Sequence, residues 1–414
     1  MIRLAHFSDL HYASKNLIEA DRCFGFAIDA AIQYGVDCAV VSGDATDHAL
    51  DVHAPAFVAL ATQLRRLADH CPVLMLQGTF SHEPPGTLDI FRLLGGRYPV
   101  FVADRIGQVA LIGGRWQAAP SWRFDALPDG TEALFSCVPT VNKAQVAATV
   151  GACEAANATG EHLARVLRGF ASLNDDARRR GIPTIGVSHG TVNGCVTEHG
   201  VPMAGPDHEF TTGSLFAAGA SAFLLGHIHQ HQQWKQDGRC IAYAGSIGRF
   251  HYGEHGIKGF LLWHIDAASS DCTLNATPAR RTIDITFDGL PDMAELALIA
   301  KRDDVADTFI RLRWQVPEED RHQVDRTAIR RLLRDAAEVK FEGRLLPVVR
   351  TRAAGIARAA GLVAKVNAWA EVTQVHAEPL QACLQALQCG TPEEIAMHIL
   401  GQDNPLTNPA ISRC

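Results

Sequence analysis

No two cysteines in this chain are spaced CxxC, and the eleven present are odd in number and scattered. That pattern fits reduced, buried thiols better than a disulfide framework or a zinc knuckle. Long hydrophobic runs are missing too: none reaches the roughly 18 to 20 residues that span a bilayer. The opening residues, MIRLAHFSDLHY, lack the charged, apolar and cleavage regions of a secretory leader. The expected location is therefore the cytoplasm, with no membrane partner. An excess of positive charge is absent as well. A formal net charge of -7 argues against a chain that coats nucleic acid non-specifically, while leaving room for a local basic face. There is no internal repeat and no long low-complexity linker. What is present is 414 residues, 47% hydrophobic and 20% charged, enough to bury a full core in two or three domains.

Along the chain, apolar strand-like segments alternate with stretches of helical spacing. Ile2 to Phe7 reads as a strand, Ile18 to Tyr34 as a helix stopped by Gly35, and Cys38 to Ser42 as a fully apolar strand. A second helix over Ala54 to Asp69 leads to a strand at Val73 to Gln77. That alternation implies a parallel sheet buried on both faces. Two more strands are expected within Val100 to Gly113, an alanine-rich helix over Lys143 to Arg180, and a short helix near Ser214 to Ala218. Pro183 to Val187 and Ala222 to Leu225 read as strands; Ile241 to Gly245, Gly259 to Ile265 and Thr282 to Phe287 read as antiparallel ones. The pattern then changes. A strand at Thr308 to Gln315, a helix at Arg326 to Ala337 and a strand at Glu342 to Val349 suggest a small α+β module, and Ala353 to Leu400 is mainly helical.

Five strand ends carry metal-capable side chains: Asp9 with His11, Asp44 after Gly43, Ser81 with His82, His189, and His227 with His229. Each is weak alone. Asp44 by itself reads as a turn aspartate, and a lone DxH or HxH is more often an ordinary exposed or satisfied pair. The joint order is far more specific, because ligands of such sheets bind beyond the carboxyl ends of the strands, where five loops can converge. Two divalent ions roughly 3.5 to 4 Å apart can activate a water and hold the attacking and leaving oxygens of a phosphoryl transfer. One carboxylate must bridge them, and Asp44 sits mid-set with two oxygens to offer. Imidazole and carboxylate ligands without thiolate suit Mn2+, Fe2+ or Zn2+ better than an all-oxygen Mg2+ site. His6, His48 and His53 fall outside the pattern and read as structural or exposed.

These residues also carry a resemblance. The order DxH, GD, a Gly-to-His-to-acid loop, a strand-end His and GHxH resembles the calcineurin-like metallophosphoesterases. More narrowly, LAHFSDLH, GDATD, FLLGHIH and YAGSIGRFHYGEHGIKGF resemble the SbcD-type nucleases of DNA double-strand-break repair. The likeness is nearly full length and weakest in about the last hundred residues. It implies an α/β fold with a metallophosphoesterase core, two packed mixed β-sheets flanked by helices, over residues 1–280. A small α+β capping domain that contacts DNA would follow over 281–352, and a helical C-terminal segment over 353–414.

The resemblance further implies two divalent ions, Mn2+ first, with Fe2+ or Zn2+ as alternatives. One would be held by Asp9, His11, Asp44 and His229, the other by Asp44, His189, His227 and the family's asparagine. His82 matches the histidine that stabilises the reacting phosphate and assists departure of the leaving oxygen. The asparagine itself is missing. Gly78-Thr79-Phe80-Ser81-His82-Glu83 is two residues longer than the family's Gly-Asn-His-Asp, and Ser81 stands where asparagine would be. The second site is therefore expected to be weaker, completed by water, or rebuilt with Glu83.

From Arg326 to Arg358 the otherwise acidic chain turns basic. Arg326, Arg330 and Arg334 are four apart, share one helix face, and can track a phosphate backbone. A solvated face with local acidic pairing explains them equally well; the resemblance favours DNA. It also implies an SbcC-type coiled-coil ATPase docked on residues 353–400, and a homodimer is compatible with it. The apolar stripes around Trp369 and over Leu380 to Leu387 read as core or as a docking face. The leading expectation is a metal-dependent DNA nuclease. The alternatives are a small-molecule phosphodiesterase or phosphatase on the same core, and a catalytically weakened scaffold that lacks the second ion.

Overall fold

The strand Ile2–Phe7 sends alternate side chains to opposite sides, and that alternation sets the layering of the molecule. The computed structural model describes residues 1–94, 96–141, 155–197, 210–254, 256–302, 304–347, 355–388 and 390–401. Ala5 and Phe7, with Ala39 and Val41 of the neighbouring strand Cys38–Val41, pack beneath the helices Leu17–Tyr34 and Pro55–His70, against Phe24, Ile28, Leu60 and Leu64. Leu4 and Val40 face the other way, into a second core with Phe135, Val187, Leu224 and Trp263. Each such buried side chain contributes about 1.5–3 kcal/mol relative to exposure. The loops at the strand ends are thus fixed by the layers that carry them.

The first sheet runs, in spatial order, Ser270–Ala276, Gly259–Ile265, Ile2–Phe7, Cys38–Val41, Val73–Leu76 and Val100–Ala103. Its last four strands are parallel and its first two pair antiparallel. The second sheet runs Gln232–Gln236, Arg239–Tyr243, Ala222–Gly226, Thr184–His189, Ala133–Val138, Gly107–Ile112 and Arg115–Ala118, again mixed. Its outer face packs on the helices Ala155–Arg179 and Thr212–Phe216 through Phe170, Leu215, Phe223 and Leu225. The chain thus has the mixed α/β architecture anticipated from its sequence, two packed mixed sheets flanked by helices.

Several expectations need correction. Arg115–Ala118, Ala133–Val138, Gln232–Gln236 and Ser270–Ala276 are strands that the sequence did not announce; Ala133–Val138 lies inside the second sheet, and the other three are edges. The strand Arg239–Tyr243 is antiparallel to one neighbour but parallel to Ala222–Gly226. The helix beginning at Arg326 ends at Leu332 instead of Ala337. The chain is captured there by strand pairing: Ala337 N donates to Thr308 O at 2.9 Å, and the strand Glu338–Leu346 begins four residues before its expected start. Thr282–Asp288, Phe309–Pro317 and that strand form a third sheet in this order.

The chain divides into two compact units, Met1–Phe287 with Pro291–Trp314 and Asp325–Glu342, and Asp288–Leu290 with Gln315–Val324 and Gly343–Cys414. In the second unit the helices Leu362–Thr373 and Ala377–Gln388 face an apolar groove lined by Val366, Trp369, Leu380 and Leu384. Trp369 is 39% exposed and Leu387 56%, so this stripe is only partly buried. The basic residues Arg350 and Arg352 and the loop residue His199 lie outside the described residues. No described helix is long and apolar enough to cross a membrane.

Candidate metal centre

Beyond Phe7 and Val41 the two parallel strands stay stitched together as they turn. Asp9 N donates to Gly43 O at 3.1 Å, His11 N to Asp44 O at 3.0 Å, and Tyr12 N to Ala45 O at 3.0 Å. The turn is made by side-chain-bearing residues in the left-handed region, with φ of 50° at Asp9, 46° at His11, 51° at Asp44 and 100° at His227. Such residues are uncommon. Seven occur among the described residues, and four of them are ligands expected from the sequence. Each costs about 1–3 kcal/mol and persists only where the surrounding structure imposes it, a condition that concentrates at functional sites.

Two glycines make the close approach feasible. A Cβ on Gly43, whose φ is 104°, would fall 2.3 Å from His189 Nδ1. One on Gly226 would fall 2.3 Å from Ser42 O and 2.4 Å from Ser8 Oγ. The glycines that precede Asp44 and His227 therefore lie where strand ends of the two sheets approach closely.

The loops bring the side chains into two groups whose donor atoms lie within 4.8 Å of one another, Asp9 with His11 and His229, and Asp44 with His189 and His227. The first sheet supplies Asp9, His11 and Asp44, and the second supplies the other histidines. Both groups open onto a cavity of about 460 Å³ lined also by Thr79 and His82. His82 forms a further cluster with His11 and Asp47, its ring edge-on to that of His11 at 4.9 Å.

The hydrogen bonds fix which ring nitrogen faces the cavity. His189 Nδ1 lies 2.8 Å from Ser42 O, His82 Nδ1 2.7 Å from Asp47 O, and His229 Nδ1 2.8 Å from Glu254 Oε1. These oxygens only accept, so each Nδ1 carries the proton and each Nε2 is left for the site. His189 Nε2 then stands 3.3 Å from Asp44 Oδ2, and the Nε2 atoms of His11 and His229 stand 2.9 Å apart. Burial opposes charge on His189, but the Asp44 carboxylate outweighs it and raises the imidazole to about 10. Burial likewise acts to raise Asp44, and His189 holds it well below the usual carboxylate range. A divalent cation can displace the proton that His189 Nε2 holds toward Asp44, and a nitrogen and oxygen donor set without thiolate fits Mn2+, Fe2+ or Zn2+. The residues present therefore fit two divalent ions: Asp9, His11 and His229 for one, Asp44, His189 and His227 for the other.

The loop after Leu76 departs from expectation. Ser81 is exposed on the turn and does not line the cavity. Thr79 holds the place instead: its amide donates to Asp44 Oδ1 at 2.6 Å, and its hydroxyl lies 3.2 Å from both Asp44 Oδ2 and His189 Nε2. Glu83 does not rebuild the second site either, because Ala45 N and Gly78 N occupy its two oxygens at 2.6 Å each. Burial first, and then the charge of Asp44, push Glu83 up to about 7. Its carboxyl pulls the Gly78 backbone down onto Asp44, which is why Thr79 and not Ser81 arrives at the ligands. Sequence reading also missed Asp47, Glu254 and Lys258, whose histidine partners lie far along the chain. His6 is buried, while His48 is exposed.

Neither a protein-family model nor a curated protein sequence matches the chain. Among solved structures it is similar to GAP50, the anchor in the inner membrane complex of Plasmodium, at 12% identity and a TM-score of 0.43, over 67% of this chain and 85% of that one. It is similar also to a dimetal phosphatase from Danio rerio, at 10% identity and a TM-score of 0.39, over 66% and 98%. A predicted phosphoesterase from Streptococcus pneumoniae covers the same shares at 10% identity and a TM-score of 0.21. At these scores the bearing on function comes from the ligand groups of the chain itself.

The arginines expected to meet DNA lie in the first unit. Arg326 stacks over Trp314 at 5.5 Å and Arg330 over Phe341 at 4.8 Å. Both are exposed, as is Arg334, which lies past the helix end and 3.8 Å from Asp335.

Proposed function

We propose that the chain hydrolyses phosphodiester bonds with two divalent cations and that its substrate is DNA, in repair or recombination, together with an SbcC-type coiled-coil ATPase. The observation that supports the hydrolytic reading is the pair of three-residue groups, Asp9–His11–His229 and Asp44–His189–His227, facing one cavity. Two bound cations, Mn2+ before Fe2+ or Zn2+, would neutralise charge on the phosphoryl oxygens and acidify a water.

The chain's own residues do the rest. Asp44, with one oxygen toward His189 and both toward Thr79, would serve both cation positions. Asp9, bonded to Ser8 Oγ and to the His227 amide, is fixed in one orientation. His82 has its Nδ1 proton committed to Asp47 O, so the nitrogen left for chemistry is Nε2, which when protonated can donate to the leaving sugar oxygen. The choice of DNA rests on the motif resemblance and on the exposed Arg326, Arg330 and Arg334.

The test is hydrolysis of linear duplex and hairpin DNA with Mn2+ by wild type, Asp44→Asn and His82→Ala. Cleavage by wild type and its loss in both variants is expected. Activity that survives Asp44→Asn refutes the mechanism. Cleavage of bis(p-nitrophenyl) phosphate but of no DNA would move the reading to a small-molecule phosphodiesterase.

A further inference from the structure

Behind the first group lies a buried ion pair that none of the roles above uses. Glu254 and Lys258 face each other at 3.0 Å with both side chains wholly buried. Burying two charges is expensive, and such pairs are poor sources of stability unless their geometry is good and every hydrogen bond is met. Here every bond is met, and the bonds converge on one residue. Glu254 Oε1 accepts from His229 Nδ1 at 2.8 Å, while Oε2 accepts from Lys258 Nζ and from Phe250 N at 3.2 Å. Lys258 Nζ donates at 2.8 Å to the backbone carbonyl of that same His229 and at 2.9 Å to Ser246 Oγ. His229 is thus gripped twice, its ring by Glu254 and its main chain by Lys258.

In the second group His189 Nδ1 meets a neutral carbonyl, Ser42 O. A carboxylate behind an imidazole fixes its tautomer and raises its basicity as a ligand more than a carbonyl does.

We infer that Glu254, held by Lys258, is a positioning residue that orients His229 Nε2 toward the cation position it shares with Asp9 and His11. This rests on the two-cation reading above. The pair acts on one position and leaves the other alone, which a general stabilising role would not do.

The experiment is titration of Mn2+ into the metal-free full chain, followed by calorimetry and by EPR. Wild type is expected to bind two ions in two steps. Glu254→Gln is expected to weaken one step ten- to hundredfold and to leave the other within about twofold. Because Glu254→Gln strands a buried cation, the double variant Glu254→Gln/Lys258→Met is measured beside it. That variant is expected to melt, metal-free, as wild type does and still to show the selective loss. Equal weakening of both steps, or of neither, in a variant that melts normally overturns the inference while sparing the two-cation reading. Wild type that binds fewer than two Mn2+ overturns both.

Discussion

His11 and His229 aim their Nε2 atoms at one another across 2.9 Å although 218 residues separate them in the chain. Without a cation only one proton can lie between them; with one, both lone pairs have a partner. Mn2+ should therefore stabilise the folded chain. At a hundredfold excess over the dissociation constant the gain is about 2.7 kcal/mol. A thermal melt of chelator-treated protein with and without Mn2+ checks this, and His11→Ala should lose most of the shift. A melting temperature indifferent to Mn2+ would count against the centre.

The exchange of Ser81 for Thr79 at the ligands gives a clean contrast. Ser81→Ala should leave Mn2+ affinity and hydrolysis within about twofold, since an exposed side chain away from special contacts is worth within about 0.5 kcal/mol. Thr79→Val removes the hydroxyl that lies 3.2 Å from both Asp44 and His189. It should weaken at least one cation by about tenfold, as loss of a residue that orients ligands does. If the two variants behave in the opposite order, the placement of this loop is wrong.

Gly43→Ala tests the contact between the sheets. Its Cβ would sit 2.3 Å from His189 Nδ1 and 2.8 Å from Gly78 Cα at a φ of 104°. Backbone strain alone costs about 1–3 kcal/mol, and the displaced imidazole should lower cation uptake. Denaturant unfolding and metal analysis of the purified variant would show both losses together.

A pH effect is expected from His6, which lies outside both ligand groups. Burial, reinforced by His231, lowers its imidazole from 6.5 to about 3, and its Nε2 lies 2.8 Å from Ser42 Oγ. Between those values the unfolded chain binds a proton that the folded chain refuses. This contribution is therefore whole above about pH 6.5 and falls as pH drops toward 3, by about 1.4 kcal/mol per pH unit. His6→Gln should flatten the stability profile by that slope. Urea unfolding at pH 4.5, 5.5 and 6.5 compares the two.

Arg326→Met and Arg330→Met should weaken binding to duplex DNA alike for all sequences, and each should reduce the slope of log affinity against log salt by about 1. Methionine keeps apolar contact with Trp314 and Phe341 while removing the charge. Unchanged salt slopes in both variants would leave these arginines as a solvated, ring-stacked face.

The layers and most of the ligands were legible because their causes are local. A buried strand such as Cys38–Val41 is an unbroken apolar run, and a glycine followed by an acid or histidine at its end marks the turn. Gln232–Gln236 was illegible because an edge strand offers no such run; QQWKQ is polar along most of its length. Thr79 was illegible for another reason. Its position is set by Glu83 reaching the amide of Ala45, 38 residues back, and a loop aligned by length alone puts Ser81 there. Glu254 sits inside a recognisable motif, but nothing in the motif says that its carboxylate ends at a histidine 25 residues earlier.

The strand Ile2–Phe7 is an inner member of its sheet, between Cys38–Val41 and Gly259–Ile265. This strand must therefore wait for residues made more than two hundred positions later before it acquires both neighbours. Asp9 and His11 emerge early, yet their third partner, His229, follows 218 residues after His11. A nascent chain shorter than that holds carboxylates and histidines but no finished pocket for a cation. The pocket is completed late in synthesis, after the two sheets have closed on each other.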